Sequence, residues 1–353
     1  MLNRTYIIAA GFFAVVILSP ARAGPLGPPV GPIAPTPGPE PRIPISSVTT
    51  PGDADSLFKI TEPGSYYLTG NITGVVGKHG IEIVVGGVTL DLNGFDLAGV
   101  PGMGGFDGVS VTTTANLSDF SISNGTIRGW GDCGIDLRAW LTFNCRIDRI
   151  RASGNANEGI NTNTGATITG CSAHANANAG IRAGSGSVVQ HCTATRNAGD
   201  GFVVSSGCVI SHCASYDNTL SGFSIFAGST ITDCSARLNS ANGIECTSLC
   251  LVRGNNCSDN GNFGDGAGIH ATSSNNRIEG NACTENDRGV DVDGASNVVI
   301  RNTCSDNGTN WTIAANNLVG PIIDRTVAAS GAISGDAAAS TLGSTDANAN
   351  YSH

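Results

Sequence analysis

A repeat of 21 residues constrains the fold of this chain more than any other feature of its sequence. From position 159 onward the chain divides into segments that each begin with glycine followed by an apolar residue. The glycines that begin the segments are Gly159, Gly180, Gly201, Gly222, Gly243, Gly268 and Gly289, with the segment from Gly243 lengthened to 25 residues, and longer segments begin at Gly80, Gly108 and Gly134. Internal periodicity of this kind is typical of solenoid proteins.

Within each segment, apolar and polar residues alternate, which is typical of short strands separated by turns. Glycine occupies 49 positions and charged residues only 13%, a composition that argues against a helical protein. Three short strands with their bends use about 20 residues, and stacked coils place equivalent residues roughly 4.8 Å apart. The sequence therefore predicts an all-β fold, a single-stranded right-handed parallel β-helix of about ten coils of about 21 residues each.

The ends of the chain have a different composition. Residues 1–23 are expected to be a signal peptide, because Arg4 precedes an apolar stretch and Ala21-Arg22-Ala23 resembles a cleavage site; an uncleaved anchor is the alternative. Residues 24–44 are a Pro/Gly-rich linker, 45–79 an N-terminal cap, 80–310 the β-helix, and 311–353 a C-terminal cap and tail. That last segment is expected to lose the register after Trp311 and to send a strand back, with a disordered tail as the alternative. We expect a secreted or periplasmic protein with no membrane span after signal cleavage.

Twelve cysteines in an exported protein ordinarily suggest disulfides. Seven of them fall in one predicted column, Cys171, Cys192, Cys213, Cys234, Cys257, Cys283 and Cys304, where the pattern requires an inward apolar residue. Buried thiols behave as small hydrophobic groups, so we interpret the column as packed core, although neighbouring coils also permit oxidation. Two other pairs are better candidates for disulfides, Cys133 with Cys145 and Cys246 with Cys250.

Outward-facing columns are where residues one coil apart become neighbours. One column brings Glu245, His270 and Asp291 together, with Asp293 on the same face and Arg288 and the loop containing Phe263 close by. These four acidic and imidazole side chains are the candidate catalytic residues, since paired carboxylates and a histidine can exchange protons with a sugar. The same oxygens are also candidates for calcium, and a solvated, mutually neutralised ladder is the structural alternative.

Two further groups of residues invite a functional interpretation. The column Gly170, His191, His212, Asp233 and Asn256 contains metal-ligand types, but these are also the residues that tolerate a positive φ, so a repeated bend is the preferred explanation. Exposed indoles beside charged groups suit sugar stacking, although a tryptophan that fills a loop is an equal alternative. The candidate substrate-binding residues are Trp130, Asp136, Arg138, Trp140, Phe263 and Arg288.

The stretches ITEPGSYYLTGNITG, GIEIVVGGVTLDLNGFDLAG and SISNGTIRGWGDCGIDL resemble the opening of exported bacterial β-helix proteins of the pectin-lyase-like superfamily. The closing NNLVGPIIDR and DANANYSH are similar to the end of the same family, so the resemblance runs from about residue 45 to the C-terminus. It implies the fold and an association with polysaccharides. The family's polygalacturonase motifs and its Asp-Pro-His-Glu epimerase motif are absent, which places catalysis in doubt.

The favoured hypothesis is therefore an exported β-helix that binds polysaccharide or surface glycan without catalysis. The alternative is a polysaccharide lyase, glycoside hydrolase or uronate epimerase that acts on an acidic polysaccharide through Glu245, His270, Asp291 and Asp293. No cofactor is required by either hypothesis, with calcium as the one candidate. The formal net charge of −10 and the absence of any block of Lys or Arg argue against a nucleic-acid partner.

Overall fold

The computed structural model describes residues 41–112, 117–138, 142–261, 264–326 and 345–353. The predicted signal peptide and most of the predicted linker lie outside these ranges. No helix occurs in the described ranges, and 36 short strands build the fold. One compact unit extends from Arg42 to His353.

The strands of the N-terminal half, in chain order, are β1 (Ile43–Pro44), β2 (Ser56–Ile60), β3 (Gly64–Tyr67), β4 (Ile72–Thr73), β5 (His79–Ile83), β6 (Val88–Asp91), β7 (Asp96–Ala98), β8 (Val109–Ser110), β9 (Leu117–Arg128), β10 (Ile135–Leu137), β11 (Thr142–Ser153), β12 (Ile160–Thr162), β13 (Thr167–Thr169), β14 (Ser172–His174), β15 (Ile181–Ala183), β16 (Val188–Gln190), β17 (Thr193–Thr195) and β18 (Phe202–Val204). Most are three to five residues long. Only β9 and β11 reach 12 residues.

The remaining strands are β19 (Val209–Ser211), β20 (Ala214–Tyr216), β21 (Phe223–Ile225), β22 (Thr230–Thr232), β23 (Ser235–Arg237), β24 (Ile244–Cys246), β25 (Leu251–Arg253), β26 (Asn256–Ser258), β27 (Ala267–Ala271), β28 (Arg277–Glu279), β29 (Ala282–Thr284), β30 (Arg288–Val292), β31 (Val298–Ile300), β32 (Thr303–Ser305), β33 (Thr309–Ile313), β34 (Leu318–Val319), β35 (Ile322–Asp324) and β36 (Asn350–Ser352). Neighbouring strands of the solenoid pair in parallel, one coil with the next.

Each coil contributes to three faces. Face 1 is the twelve-stranded sheet β2-β5-β8-β10-β12-β15-β18-β21-β24-β27-β30-β33. Face 2 contains β3, β6, β13, β16, β19, β22, β25, β28, β31 and β34, and face 3 contains β4, β7, β14, β17, β20, β23, β26, β29, β32 and β36. Faces 2 and 3 join into one sheet because β9 and β11 each run across both.

Twelve strands on face 1 exceed the predicted number of about ten coils. One additional strand, β2, lies within the segment 45–79 and pairs with β5. The other, β33, pairs Trp311 with Val290 and Thr312 with Asp291, so the register continues past the point where the sequence was expected to lose it. The last residues of the chain return to face 3, where Tyr351 pairs with Thr303.

The interior consists of apolar ladders, because each inward residue stacks on its equivalent in the next coil. On face 1 this ladder is Ile135, Ile160, Ile181, Phe202, Phe223, Ile244, Ile269 and Val290, all fully buried. The rings of Phe202 and Phe223 stack with centroids 4.8 Å apart. Burial of such side chains is the main favourable contribution to folding.

The corners of the coils are held by buried asparagines. At the corner between faces 3 and 1, each amide Nδ2 donates to the amide oxygen one coil later, over 2.9–3.0 Å. The ladder consists of Asn155, Asn176, Asn197, Asn218, Asn239, Asn260, Asn286 and Asn307. Buried amides need such partners, so the ladder satisfies the polar groups at every bend.

The seven cysteines that were predicted to form one column form two columns in the structure. Cys171, Cys192, Cys213 and Cys234 occupy the corner between faces 2 and 3, and the next coil places Asn255 there. Cys257, Cys283 and Cys304 lie two residues further along the coil, where Cys257 pairs with Ala236. The single-column prediction is wrong because it allowed a step of two extra residues between Cys234 and Cys257, whereas the coil keeps its length.

Candidate functional site

The structure brings Glu245, His270 and Asp291 into one column on face 1. Glu245 in β24 pairs with His270 in β27, and His270 pairs with Asp291 in β30. Parallel pairing with period-two alternation makes the three side chains project from the same surface of the sheet. We call Glu245, His270, Asp291, Asp293 and Arg288 together the His270 cluster.

The imidazole of His270 is held between two carboxylates. Its Nε2 lies 2.9 Å from Asp293 Oδ2 and 3.7 Å from Asp291 Oδ2. Its Nδ1 lies 3.5 Å from the side-chain nitrogen of Asn242, which can only donate. This arrangement favours the tautomer in which Nε2–H donates to Asp293 and Nδ1 accepts.

Asp291 is the buried member of the cluster, with only 2% of its side chain exposed. Arg288 Nη1 bonds its Oδ2 at 2.9 Å, while its Oδ1 has no hydrogen-bond partner among the described residues. Burial raises the pKa of Asp291 above its ordinary value, and the positive charge of Arg288 acts in the opposite direction. Asp293, by contrast, is 57% exposed.

Glu245 is oriented by two polar neighbours. Its Oε2 accepts hydrogen bonds from Asn242 Nδ2 at 3.0 Å and from Ser221 Oγ at 3.3 Å. Asn242 therefore contacts both Glu245 and His270 and positions the two side chains relative to each other. Asn242 and Ser221 were not among the predicted site residues, although each immediately precedes the first glycine of a repeat and therefore belongs to a column of its own.

An open depression of about 580 Å³ adjoins the cluster through Arg288. Its lining residues are Gly264, Asp265, Glu285, Asn286, Asp287, Arg288, Asp306, Gly308 and Thr309. Arg288 Nη2 bonds both the carbonyl and the carboxylate of Asp265, and Asp287 accepts from the backbone N–H groups of Gly264 and Gly266. The depression is therefore strongly acidic, with four carboxylates against one guanidinium.

Trp130, predicted to stack on a sugar, lies in the interior of the early coils. Trp130 is only 1% exposed, and its Nε1 donates to the carbonyl of Leu97 at 3.0 Å. Its ring lies where a side chain at Gly80 would be, so the indole fills the interior and is unavailable for stacking on a sugar. The prediction of Trp130 as a substrate-binding residue is wrong for this reason. Trp140 and Phe263 lie outside the described residues.

Asp136 and Arg138 do lie on the outer surface of face 1, but they bind each other. Arg138 donates from Nε and Nη2 to both carboxylate oxygens of Asp136, over 2.8–3.1 Å. They are about six coils from His270 in the same column, so the structure separates them from the His270 cluster.

The predicted disulfides are not formed in the structure. All twelve cysteines are free, buried thiols, including Cys133, Cys145, Cys246 and Cys250. Cys246 faces the interior from β24, whereas the Cys250 thiol points to the Phe226 carbonyl at the corner between faces 1 and 2. Cys133 lies against Glu158, and Cys145 against the Phe143 carbonyl.

The column of histidines at the corner between faces 2 and 3 is a repeated bend. Gly170, His191, His212 and Asp233 all have φ between 54° and 63°. The next member is Gly254, not Asn256, which lies in β26. The rings of His191 and His212 stack on each other with centroids 5.1 Å apart. The repeated bend accounts for the residue types in this column, in agreement with the interpretation favoured from the sequence.

Calcium, the one predicted cofactor, has an incomplete ligand set in the His270 cluster. Calcium takes six to eight oxygen ligands. The ligand group within the cluster consists of His270, Asp291 and Asp293, and Oδ2 of the two aspartates already contacts Arg288 and His270, respectively. Among the described residues of the ligand group, the Oδ1 atom of Asp291 is buried and has no hydrogen-bond partner, so it is available to an ion.

Comparisons with known proteins agree with the fold. A family model described as the right-handed β-helix region matches residues 107–251. The A-module of the mannuronan C-5 epimerase AlgE6 from Azotobacter vinelandii is similar in structure, with a TM-score of 0.65 and 16% identity over 79% of this chain and 87% of that one. The Dettilon tailspike protein has a TM-score of 0.54 and 16% identity over 76% of this chain and 60% of that one.

No curated protein sequence matches the chain. Among the described residues, no helix has the length and apolar character needed to cross a membrane. The matched family region and the two similar structures share the coil architecture seen in the strand pairing, which confirms the fold expected from the repeat. The chain is a right-handed parallel β-helix protein.

Proposed function

We propose that this chain binds a polysaccharide along the C-terminal coils of face 1. The observation that carries the proposal is the His270 cluster, in which donors and acceptors from three consecutive coils converge beside an open depression. Sugar hydroxyls both donate and accept hydrogen bonds. Carboxylates, an amide, an imidazole and a guanidinium at this spacing can satisfy several hydroxyls at once.

A polymer suits this surface better than a small molecule. The outward column repeats roughly every 4.8 Å from coil to coil, so a chain lying across the strands meets a new polar side chain at each step. The similarity to an enzyme named for its action on mannuronan agrees with this interpretation at the level of fold.

A second, apolar depression adjoins the first on the other side of Asp265. It is lined by Thr219, Leu220, Ser240, Ala241, Asp265 and Gly266, and Leu220 is 49% exposed. Sugar rings present C–H faces as well as hydroxyls. A surface with acidic groups on one side of Asp265 and aliphatic groups on the other offers contacts to both.

Catalysis is the second candidate function, and Asp291 is the observation that favours it. Burial keeps its pKa above the ordinary range, while exposed Asp293 holds His270 in a defined orientation. A carboxyl group with a raised pKa and an oriented imidazole are the kinds of acid and base that proton transfer at a sugar requires. A lyase, glycoside hydrolase or uronate epimerase would each use them.

Binding is tested with a glycan array and a panel of neutral and acidic polysaccharides, probed with the wild-type chain and with His270→Gln and Asp291→Asn. We expect one polymer class to be retained by the wild type and lost by both variants. His174→Gln on face 3 is the matched control, since its exposed imidazole contacts only Thr195. Equal retention by all four proteins would overturn the assignment of the site.

Turnover of the retained polymer separates the two candidate functions. Lyase action produces an unsaturated product that absorbs in the ultraviolet, hydrolysis releases reducing ends, and epimerisation changes the proton NMR spectrum. Each assay is run with added calcium and with a chelator, which also tests the predicted cofactor. Binding without any of the three changes supports the non-catalytic proposal. Turnover that is abolished in His270→Gln would instead show that the chain is an enzyme that uses His270.

Export is part of the same proposal. The sequence of residues 1–23 and the expected cleavage after Ala23 support it. Expression of the full chain in a bacterial host and N-terminal sequencing of the product provide the test. A mature protein that begins at Gly24 agrees with export, whereas a cell-associated product that retains residue 1 contradicts it.

A further inference from the structure

A second cluster of ligand-type side chains lies near the N-terminal end of face 1. Asp107 precedes β8, Asp132 and Cys133 precede β10, and Asp136 lies within β10. One ligand atom from each of the four residues lies within 4.8 Å of all the others. We call these four residues the Asp107 cluster. It is about six coils from His270 and shares no residue with the proposed polysaccharide site.

The Asp107 cluster has excess negative charge and is partly buried, since Asp132 and Asp136 keep 29% and 17% of their side chains exposed. Asp107 is 4% exposed and Cys133 is fully buried. The neighbouring carboxylate of Glu158, also buried, accepts from the Cys133 thiol at 3.4 Å. Four carboxylates thus face two guanidinium groups, Arg138 on Asp136 and Arg182 on Glu158. Such an excess in a poorly solvated place requires either bound protons or another cation.

His79 does not supply that cation in this arrangement. Its Nδ1 accepts from the backbone N–H of Asp107 at 2.9 Å, and a nitrogen that accepts carries no proton. The contact of 3.3 Å between Nδ1 and Asp107 Oδ2 is therefore no hydrogen bond in that tautomer. Asp107 Oδ2 instead accepts from Ser110 Oγ at 2.9 Å.

Asn161 provides an independent sign that a ligand belongs here. It pairs in register with Asp136 on the outer surface of face 1, one coil further along. The residue is 0% exposed, yet neither its side-chain nitrogen nor its oxygen has a hydrogen-bond partner among the described residues. A buried amide without partners costs about 1–3 kcal/mol, so an unfilled partner position beside Asp136 is expected to have an occupant.

We propose that the Asp107 cluster binds a divalent transition-metal ion of the zinc type through Cys133 Sγ and the carboxylates of Asp107, Asp132 and Asp136. The sulfur ligand decides the metal class, because calcium and magnesium take oxygen ligands whereas zinc and cobalt also take thiolate. Binding releases the Cys133 proton to solvent and forms the metal–sulfur bond in its place. No electron is transferred, so no oxidant or reductant is involved.

The geometry requires only modest adjustment. Tetrahedral bonds of about 2.0–2.3 Å place ligand atoms roughly 3.3–3.5 Å apart, so ligand atoms 4.8 Å apart must approach each other by about 1.3–1.5 Å. Arg138 now lies on Asp136 and 3.9 Å from both Cys133 Sγ and Asp132. Its side chain is 45% exposed and can turn outward when the ion takes its place. The bound ion would connect two successive coils.

Cobalt titration of the full chain tests this proposal, because a thiolate–cobalt bond gives an intense near-ultraviolet band. After chelator treatment, we expect the wild type to take up one Co²⁺ with this band, and excess Zn²⁺ to bleach it. Cys133→Ser is expected to lose the band. Asp132→Asn, at the more exposed ligand, is expected to bind at least about tenfold more weakly. Cys208→Ser is the matched control, a buried thiol at another corner of the coil, and should behave as the wild type.

The outcomes are distinct even if one variant fails to fold. Far-ultraviolet circular dichroism checks folding, and the wild-type titration alone can reject the proposal. An absent cobalt band in the wild type overturns it, as does a band that persists in folded Cys133→Ser. Zinc should also raise the melting temperature of the wild type and leave that of Cys133→Ser unchanged. An equal rise in both would assign the ion to other residues.

Discussion

Asp291 and Arg288 form an ion pair of 2.9 Å in which nearly all of the carboxylate is buried and a quarter of the guanidinium side chain is exposed. Arg288 is therefore in contact with solvent, whereas Asp291 is shielded from it. Burial of the carboxylate raises the pKa of Asp291, and Arg288 opposes this shift. The raised pKa should be measurable in the pH dependence of the free energy of unfolding.

Asp291→Asn is expected to change how stability depends on pH. The folded chain keeps the Asp291 proton to a higher pH than the unfolded chain, so the free energy of unfolding falls as pH rises from 3.8 through the raised pKa. Asparagine cannot titrate. The difference in free energy of unfolding between variant and wild type should therefore shift in favour of the variant as the pH rises above 3.8.

Urea unfolding at several pH values measures this difference. Ser206→Ala, at an exposed residue that does not titrate, is the control and should differ from the wild type by the same amount at every pH. A difference for Asp291→Asn that is equally independent of pH would contradict the raised pKa.

Two cysteine-to-serine substitutions are expected to differ in cost. Cys208 occupies a corner column between Ser187 and Ser229, where its backbone N–H donates to Ser229 Oγ and its thiol points to the Gly184 carbonyl. Serine already holds the neighbouring places, so Cys208→Ser should change the free energy of unfolding by less than about 0.5 kcal/mol.

Cys257 packs in register between Ala236 and Cys283 and is fully buried. Cys257→Ser introduces a hydroxyl among small apolar side chains, and we expect a loss of about 1–3 kcal/mol. Urea denaturation under reducing conditions compares the two variants. Equal losses would show that the corner position of Cys208 and the inward position of Cys257 are equivalent, against the structure.

Asn197→Ala is expected to destabilise the asparagine ladder by about 2–4 kcal/mol. The Asn197 side chain accepts from both nitrogens of Asn176 and donates to the Ala173 carbonyl and to Asn218. Alanine leaves these buried groups without partners. Thermal unfolding provides the measurement, with Ser206→Ala again as the control, and a loss below about 1 kcal/mol would show that the ladder contributes little.

Trp130→Phe is expected to lower stability and to leave polysaccharide binding unchanged. The variant loses the hydrogen bond from Nε1 to the Leu97 carbonyl and leaves a small cavity, for an expected cost of about 2–3 kcal/mol. Melting temperature and retention on the polymer bound by the wild type are measured together. Weakened binding at unchanged stability would restore Trp130 as a binding residue.

The sequence predicted most where the repeat is strict. The position of each residue relative to the first glycine of its coil was sufficient to place Glu245, His270 and Asp291 in one column, although the coil between Gly243 and Gly268 has 25 residues. The direction of Trp130 was not predictable, since the coil that contains it has no equal-length neighbour to fix the inward positions. The Asp107 cluster was not predictable for the same reason, because its members come from coils of unequal length.

The column that contains Asp136 and His270 also acts as a length scale. Six strand steps of about 4.8 Å each separate the two residues, roughly 29 Å in all. Duplication or loss of one whole 21-residue unit between them would change that separation by a single step and leave both clusters intact, whereas a partial unit would misalign every corner beyond it. The β-helix can therefore be lengthened or shortened only by whole coils, each of which changes its length by about 4.8 Å.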